Sequence, residues 1–201
     1  GLGNFCPAQR ISSMPNPNSV AAGDLDGDGD ADLAVGLTRD SDARCVLYEN
    51  IGGSFAERGN YTIGDRTSVQ NVVVADFDGD LDNDVAMALT NGRCVRVLRN
   101  EGTWNFVLGE PFCPPTLYAL NGITPGDFNG DGAIDLVACN NNSHGYAVFL
   151  NNGDATFTVT DLIVPGWESP AFCTVMDVDW DCQLDVVVLD YTAGQVYVLH
   201  G

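Results

Sequence analysis

Asp24-Leu25-Asp26-Gly27-Asp28-Gly29-Asp30-Ala31-Asp32 is the stretch on which the fold turns. It places an acid at every second position and glycine at two of the positions between. The pattern returns as Asp76-Phe77-Asp78-Gly79-Asp80-Leu81-Asp82-Asn83-Asp84 and as Asp127-Phe128-Asn129-Gly130-Asp131-Gly132-Ala133-Ile134-Asp135. A fourth copy reads Asp177-Val178-Asp179-Trp180-Asp181-Cys182-Gln183-Leu184-Asp185. Their first residues lie 52, 51 and 50 positions apart, and such a period marks a repeat architecture.

Apolar runs flank every copy. Val20–Ala22, Val72–Ala75, Ile123–Thr124 and Cys173–Met176 precede the loops, and Leu33–Val35, Val85–Met87, Leu136–Ala138 and Val186–Leu189 follow them. Short, β-branched and bounded by turn formers, these runs predict buried strands. A third strand follows at Cys45–Tyr48, Val95–Leu98, Tyr146–Leu150 and Val196–Leu199. Asn50, Asn100 and Asn151 close three of them before a glycine turn, and Phe55, Phe106 and Phe157 open a fourth strand. Four antiparallel strands in about fifty residues make one propeller blade.

The expected fold is all-β: a single domain over residues 1–201, a β-propeller of four four-stranded blades. The repeats span approximately 19–62, 71–110, 122–164 and 172–201, the last joined by 1–11. The fourth repeat stops at His200-Gly201, after its third strand, and Gly3-Asn4-Phe5-Cys6 supplies the missing one in register. An N-terminal strand completing the last blade would remove the edges that open sheets expose. A four-bladed ring, two chains forming eight blades, and strands exchanged between neighbours all satisfy the pattern.

The loops carry the chemistry. Alternate positions of a tight turn point inward together, so acids at positions one, three and five surround one centre. Glycine at positions four and six permits the turn. A carbonyl at position seven and an Asp at position nine complete an oxygen cage of the kind calcium takes. Seventeen of the 28 acidic residues sit in these loops, an arrangement that is unfavourable unless a cation neutralises it. Up to four Ca2+, one per repeat, are expected, taking the formal charge from −20 to −12. An EF-hand is excluded, because position twelve is Val35, Met87, Ala138 or Val188 rather than Glu. Magnesium keeps more of its water and suits such a cage less well.

These residues resemble the FG-GAP and VCBS repeats of integrin α-subunit heads and many secreted proteins, whose hallmark is a D-x-D-x-D-G-x-x-D calcium loop between the first two strands of a blade. The match runs along essentially the whole chain. The resemblance implies side-chain ligands from Asp24, Asp26, Asp28 and Asp32 and the carbonyl of Asp30. It implies Asp76, Asp78, Asp80 and Asp84 with the carbonyl of Asp82. For the third loop it gives Asp127, Asn129, Asp131 and Asp135 with the carbonyl of Ala133. For the fourth it gives Asp177, Asp179, Asp181 and Asp185 with the carbonyl of Gln183. Leu81, Trp180 and Cys182 depart from the glycines expected at positions four and six, and propellers of this family commonly have seven blades. Calcium then holds the blades in shape, and ligands meet the opposite face. On that face the resemblance places Arg39, Arg66, Arg93, Tyr118, His144, Trp167 and Tyr191, with Arg66, Tyr118 and Trp167 as candidate ligand-binding residues.

Composition narrows the partners. All eight basic residues are Arg, none beyond Arg99, so no basic patch exists for nucleic acid or an anionic membrane surface. No apolar run is long enough to insert in a bilayer. Seven cysteines predict an oxidising compartment, with one thiol left over. A chain that begins at Gly1 predicts a processed product. The sequons at Asn60 and Asn141 agree with secretion or a cell-surface location. No nucleophile motif is present and there is no Lys, so no enzyme activity is expected. Two functions follow: an extracellular recognition or adhesion module for carbohydrate or protein, or a self-associating protomer of a fibre or surface layer.

Overall fold

Each acidic loop links two antiparallel strands, and the same register recurs in all four repeats. The computed structural model describes residues 8, 10–11, 13–38, 42–65, 67–117, 119–140 and 144–201, with Asp42 and Asp65 in backbone only. Among these residues all regular structure is β. The first sheet runs in the order β1 (Pro17–Gly23), β2 (Asp32–Leu37), β3 (Asp42–Ile51), β4 (Ser54–Asp65). The second is β5 (Val69–Ala75), β6 (Asp84–Leu89), β7 (Cys94–Asn100), β8 (Phe106–Leu108). The third is β9 (Gly122–Gly126), β10 (Asp135–Asn140), β11 (Gly145–Asn151), β12 (Phe157–Ile163). The fourth has β13 (Pro170–Met176), β14 (Asp185–Asp190) and β15 (Gln195–Leu199).

Gly23↔Asp32, Ala75↔Asp84, Gly126↔Asp135 and Met176↔Asp185 are Cα partners, so every loop closes on its ninth-position Asp. The strands begin within two residues of the expected repeat starts, while β4 continues to Asp65. The fourth sheet has three strands among the described residues, and the expected N-terminal strand around Phe5 lies outside them. Nearby Met14 packs on the first sheet, against Val35, Leu37, Val46 and Tyr48, and accepts a hydrogen bond from the Tyr48 hydroxyl at 3.1 Å.

The core lies between sheets. Ala34, Cys45 and Leu47 of the first sheet meet Val72, Val85, Met87 and Leu98 of the second. Ala86, Ala88, Val95 and Val97 on the second sheet's other face meet Ile123, Leu136, Ala138 and Phe149 of the third. Cys139 and Tyr146 of the third then meet Cys173, Val186, Val188, Tyr197 and Leu199 of the fourth. The second and third sheets therefore bury both faces by stacking on two neighbours, and the inner strands β1, β5, β9 and β13 follow one another. The position-two residues Leu25 and Phe77 are wedged between sheets and fully buried.

Candidate metal centres

All four loops fold by one hydrogen-bonding scheme. The first Asp accepts the main-chain N–H of positions four and six: Gly27 and Gly29 on Asp24, Gly79 and Leu81 on Asp76, Gly130 and Gly132 on Asp127, Trp180 and Cys182 on Asp177, all between 2.6 and 3.0 Å. The fifth-position Asp accepts the N–H of position seven at 2.8 to 2.9 Å. Positions four and six have positive φ throughout. The three non-glycine occupants adopt it too, Leu81 at 77°, Trp180 at 66° and Cys182 at 72°. The departures from glycine thus leave the turn unchanged and strain it locally.

The ninth-position Asp is the buried anchor. Asp32, Asp84, Asp135 and Asp185 each accept one N–H from position two of their loop, at 2.8 to 3.0 Å. The other oxygen accepts an N–H where the third strand ends: Asn50 at 2.8, Asn100 at 2.7, Asn151 at 2.7 and Gly201 at 3.1 Å. Ligand atoms of Asp24, Asp26 and Asp32 lie within 4.8 Å of one another, as do those of Asp76, Asp78 and Asp84 and those of Asp177, Asp179 and Asp181. Asp28 and Asp80 stand outside these triads. The third loop brings no such triad together among the described residues. Its position three is Asn129, whose amide donates to Asp131 at 2.8 Å. A further group joins Asp179, Asp185 and His200, with Nδ1 3.3 Å from both carboxylates.

Electrostatics differ between loops. Burial raises the Asp84 carboxyl to about 7, reinforced by the charges of Asp78 and Asp80 and opposed by its two N–H donors. Burial also raises Asp32, Asp135 and Asp78, each helped by neighbouring loop carboxylates. Asp185 is held low by the Val178 amide, with further help from Gly201 and His200. Oδ1 of Asp78 is buried with no hydrogen-bond partner. An unsatisfied carboxylate oxygen beside two more carboxylates fits a hard cation, and an all-oxygen donor set fits calcium chemistry.

The expected ligand face is corrected at Trp167. Its ring is only 5% exposed, lying between Tyr146 and Tyr197 with centroids 5.9 and 5.0 Å away. Stacking between the third and fourth sheets buries it, so it offers no surface to a ligand. Arg66, Tyr118 and Arg39 lie outside the described residues, as does Asn141, whereas Asn60 is exposed on β4. A cavity of about 360 Å3 opens where the inner strands begin, at the end remote from the loops. Asn18, Gln70, Asn71, Asn121 and the exposed ring of Phe172 line it. Its residues come from different repeats, so sequence spacing gives no sign of it.

The FG-GAP-like repeat family matches residues 76–138 and 127–188, and the FG-GAP repeat matches residues 16–37. The chain belongs to the FG-GAP-like repeat family. Each match includes strand and loop segments of the repeats described above. Among curated proteins no sequence matches the chain. The FG-GAP-like chain is similar in structure to a Lactobacillus plantarum protein, with TM-score 0.60 and 13% identity over 95% of this chain and 57% of that one. Rhamnogalacturonan lyase YesW is also similar, with TM-score 0.58 and 16% identity over 90% of this chain and 42% of the lyase. The chain thus spans about half the length of these structures, and the likeness is one of fold.

Proposed function

We propose that this FG-GAP-like chain is a non-enzymatic, calcium-stabilised propeller module of the extracellular space that recognises carbohydrate or protein. The observation that carries the calcium reading is the second loop. There Asp76, Asp78 and Asp84 converge, Asp78 keeps a buried unpartnered oxygen, and the Asp84 carboxyl is raised to about 7. Asp76, Asp78, Asp80, Asp84 and the Asp82 carbonyl would hold the ion, and the equivalent residues of the other loops would hold three more. The ion's work is structural: it offsets carboxylate repulsion at the ends of the hairpins and leaves the opposite mouth free. Each sheet acts as one blade, and completion of the fourth by the N-terminal strand remains part of the proposal. The Cys94–Cys113 disulfide supports an oxidising location.

Recognition belongs at the axial cavity, where side-chain amides surround an exposed aromatic ring. Amides suit hydroxyl groups and a ring suits the apolar face of a sugar. Calcium titration calorimetry with a panel of immobilised glycans tests both parts. Saturable calcium binding with glycan capture lost in Phe172→Ala is expected. Absence of calcium binding would remove the metal reading. Capture unaltered by Phe172→Ala would remove the cavity.

One observation favours a second reading, a self-associating protomer. Phe172, Met176, Leu189, Val196 and Val198 form an exposed apolar face on the fourth sheet, with Phe172 63% and Val196 64% accessible. Register makes it equivalent to the face on which the second sheet receives the third. A second copy of this chain is the occupant, because the stacking series then continues unchanged. Light scattering of the chain and of Val196→Glu tests it: a mass above 21.4 kDa that falls to the monomer value in the variant is expected. A monomer throughout rules it out.

A further inference from the structure

The third inter-sheet contact carries a pair of thiols in a position that the other two fill with apolar atoms. Pairing registers make Cys139 of β10 the counterpart of Gly36 and Ala88, and Cys173 of β13 the counterpart of Val72 and Ile123. These positions face each other across the sheets. A Cβ placed on Gly36 would lie 3.2 Å from Val72 Cγ1, and Ala88 shares a core cluster with Ile123. Cys139 and Cys173 stand in the same relation, within one cluster with Trp167 and Val188, and the Cys173 thiol donates at 3.8 Å to Val137 O on the strand that carries Cys139. A disulfide joins side chains that face each other at a Cβ separation of about 3.5–4.5 Å, and positions that face each other across closely packed sheets are where such a link is made.

We infer that Cys139 and Cys173 are the site of a second disulfide, which clamps the fourth sheet to the third. The need for a clamp is visible in the polar contacts. Asn100 donates from the second sheet to Leu25 O of the first repeat, and Asn151 from the third sheet to Phe77 O of the second. The register position for the fourth sheet is Gly201, which has no side chain with which to reach the third loop. A covalent link takes the place of the missing amide.

A small-molecule disulfide is the oxidant. The Cys173 sulfur, partly accessible, gives up its proton and attacks one sulfur of that disulfide. The S–S bond breaks, and the departing thiolate takes up a proton. Cys139 then loses its proton and attacks the Cys173 sulfur, forming the Cys139–Cys173 bond and releasing the second small thiol. Two protein thiols are oxidised by two electrons, and one disulfide is reduced to two thiols. Cys45 stays out of this exchange, being wholly buried with its thiol pushed up to about 12.

The test is peptide mapping by mass spectrometry after incubation with oxidised glutathione, with remaining thiols alkylated in denaturant. A Cys139–Cys173 cross-linked peptide is expected beside the Cys94–Cys113 one, which serves as the internal sign that oxidation has occurred. Reduction should then lower the Tm of the wild-type chain by several degrees more than that of Cys173→Ser. Cys139→Ala gives an independent check if the serine disturbs packing. Alkylated Cys139 and Cys173 in a sample that contains the Cys94–Cys113 link would overturn the assignment. So would an equal loss of Tm on reduction in wild type and both variants. Neither readout depends on metal or ligand.

Discussion

The Asn151 side-chain amide donates to the main-chain carbonyl of Phe77 at 2.7 Å, joining the end of one third strand to the acidic loop of the preceding repeat. The same amide donates to Ile134 O at 2.9 Å, and its carbonyl accepts the Gly153 N–H at 3.0 Å. Asn100 repeats the arrangement on Leu25 O and Asn83 O. A buried amide with every group partnered is costly to truncate, because Ile134 O loses this donor and Phe77 O keeps only the Ala155 N–H at 2.9 Å, neither gaining water.

Asn151→Ala is therefore expected to destabilise the chain by about 2–3 kcal/mol, read as a lower urea midpoint at unchanged m-value. Asn50 is the contrast. Its amide is exposed and donates within its own repeat, to Ala31 O at 3.2 Å, so Asn50→Ala should cost below about 1 kcal/mol. Equal losses would show that the contact between repeats contributes nothing special.

The repeat, the strands and the loops were legible because local geometry dictates them. Asp at alternate positions and a turn at positions four and six follow from the backbone of one short segment. Asn50, Asn100 and Asn151 read as turn formers, and each does hold a glycine N–H of its turn. Their reach to a neighbouring repeat was hidden, since Asn151 and Phe77 lie 74 residues apart. Trp167 misled for a related reason. Between Gly166 and Glu168 it reads as an exposed loop residue, and only the approach of Tyr146 and Tyr197 from two sheets buries it. The pairing of Cys94 with Cys113 is likewise a product of β7 meeting the segment after β8.

Leu81 stands at φ 77° with its side chain 90% exposed, so it bears backbone strain without any return from burial. Leu81→Gly should raise stability by about 1 kcal/mol, net of the extra freedom that glycine brings to the unfolded chain. A chemical denaturation midpoint higher than wild type is the expected result. A lower midpoint would mean that the loop tolerates this conformation at no cost.

In metal-free protein the raised carboxyl of Asp84 couples folding to pH. Its folded value is about 7 against an ordinary 3.8, so between these limits the folded state holds a proton that the unfolded state has lost. Stability from this group is full below about pH 4 and is lost as pH rises through 7. Asp32, Asp78 and Asp135 shift in the same direction. Metal-stripped protein should melt several degrees higher at pH 5.5 than at pH 8. Asp84→Asn should flatten that dependence, as scanning calorimetry at the two pH values would reveal. Calcium should oppose the trend, since protons compete with it for the carboxylates.

Asn129 sets the third loop apart. Its amide donates to Asp131, whose carboxyl is held low first by the Ala133 N–H and then by this amide. The other three loops carry a carboxylate at this position, and calcium affinity rises with the number of ligand charges. Calorimetric titration should therefore resolve the third site as the weakest. Asn129→Asp should tighten it by about tenfold, the equivalent of roughly 1.4 kcal/mol. The same substitution should lower the Tm of metal-stripped protein, because it replaces a hydrogen bond with one more repelling charge. Tighter binding without loss of metal-free stability would separate the two effects. No change in either would place the ion's contacts elsewhere in the loop.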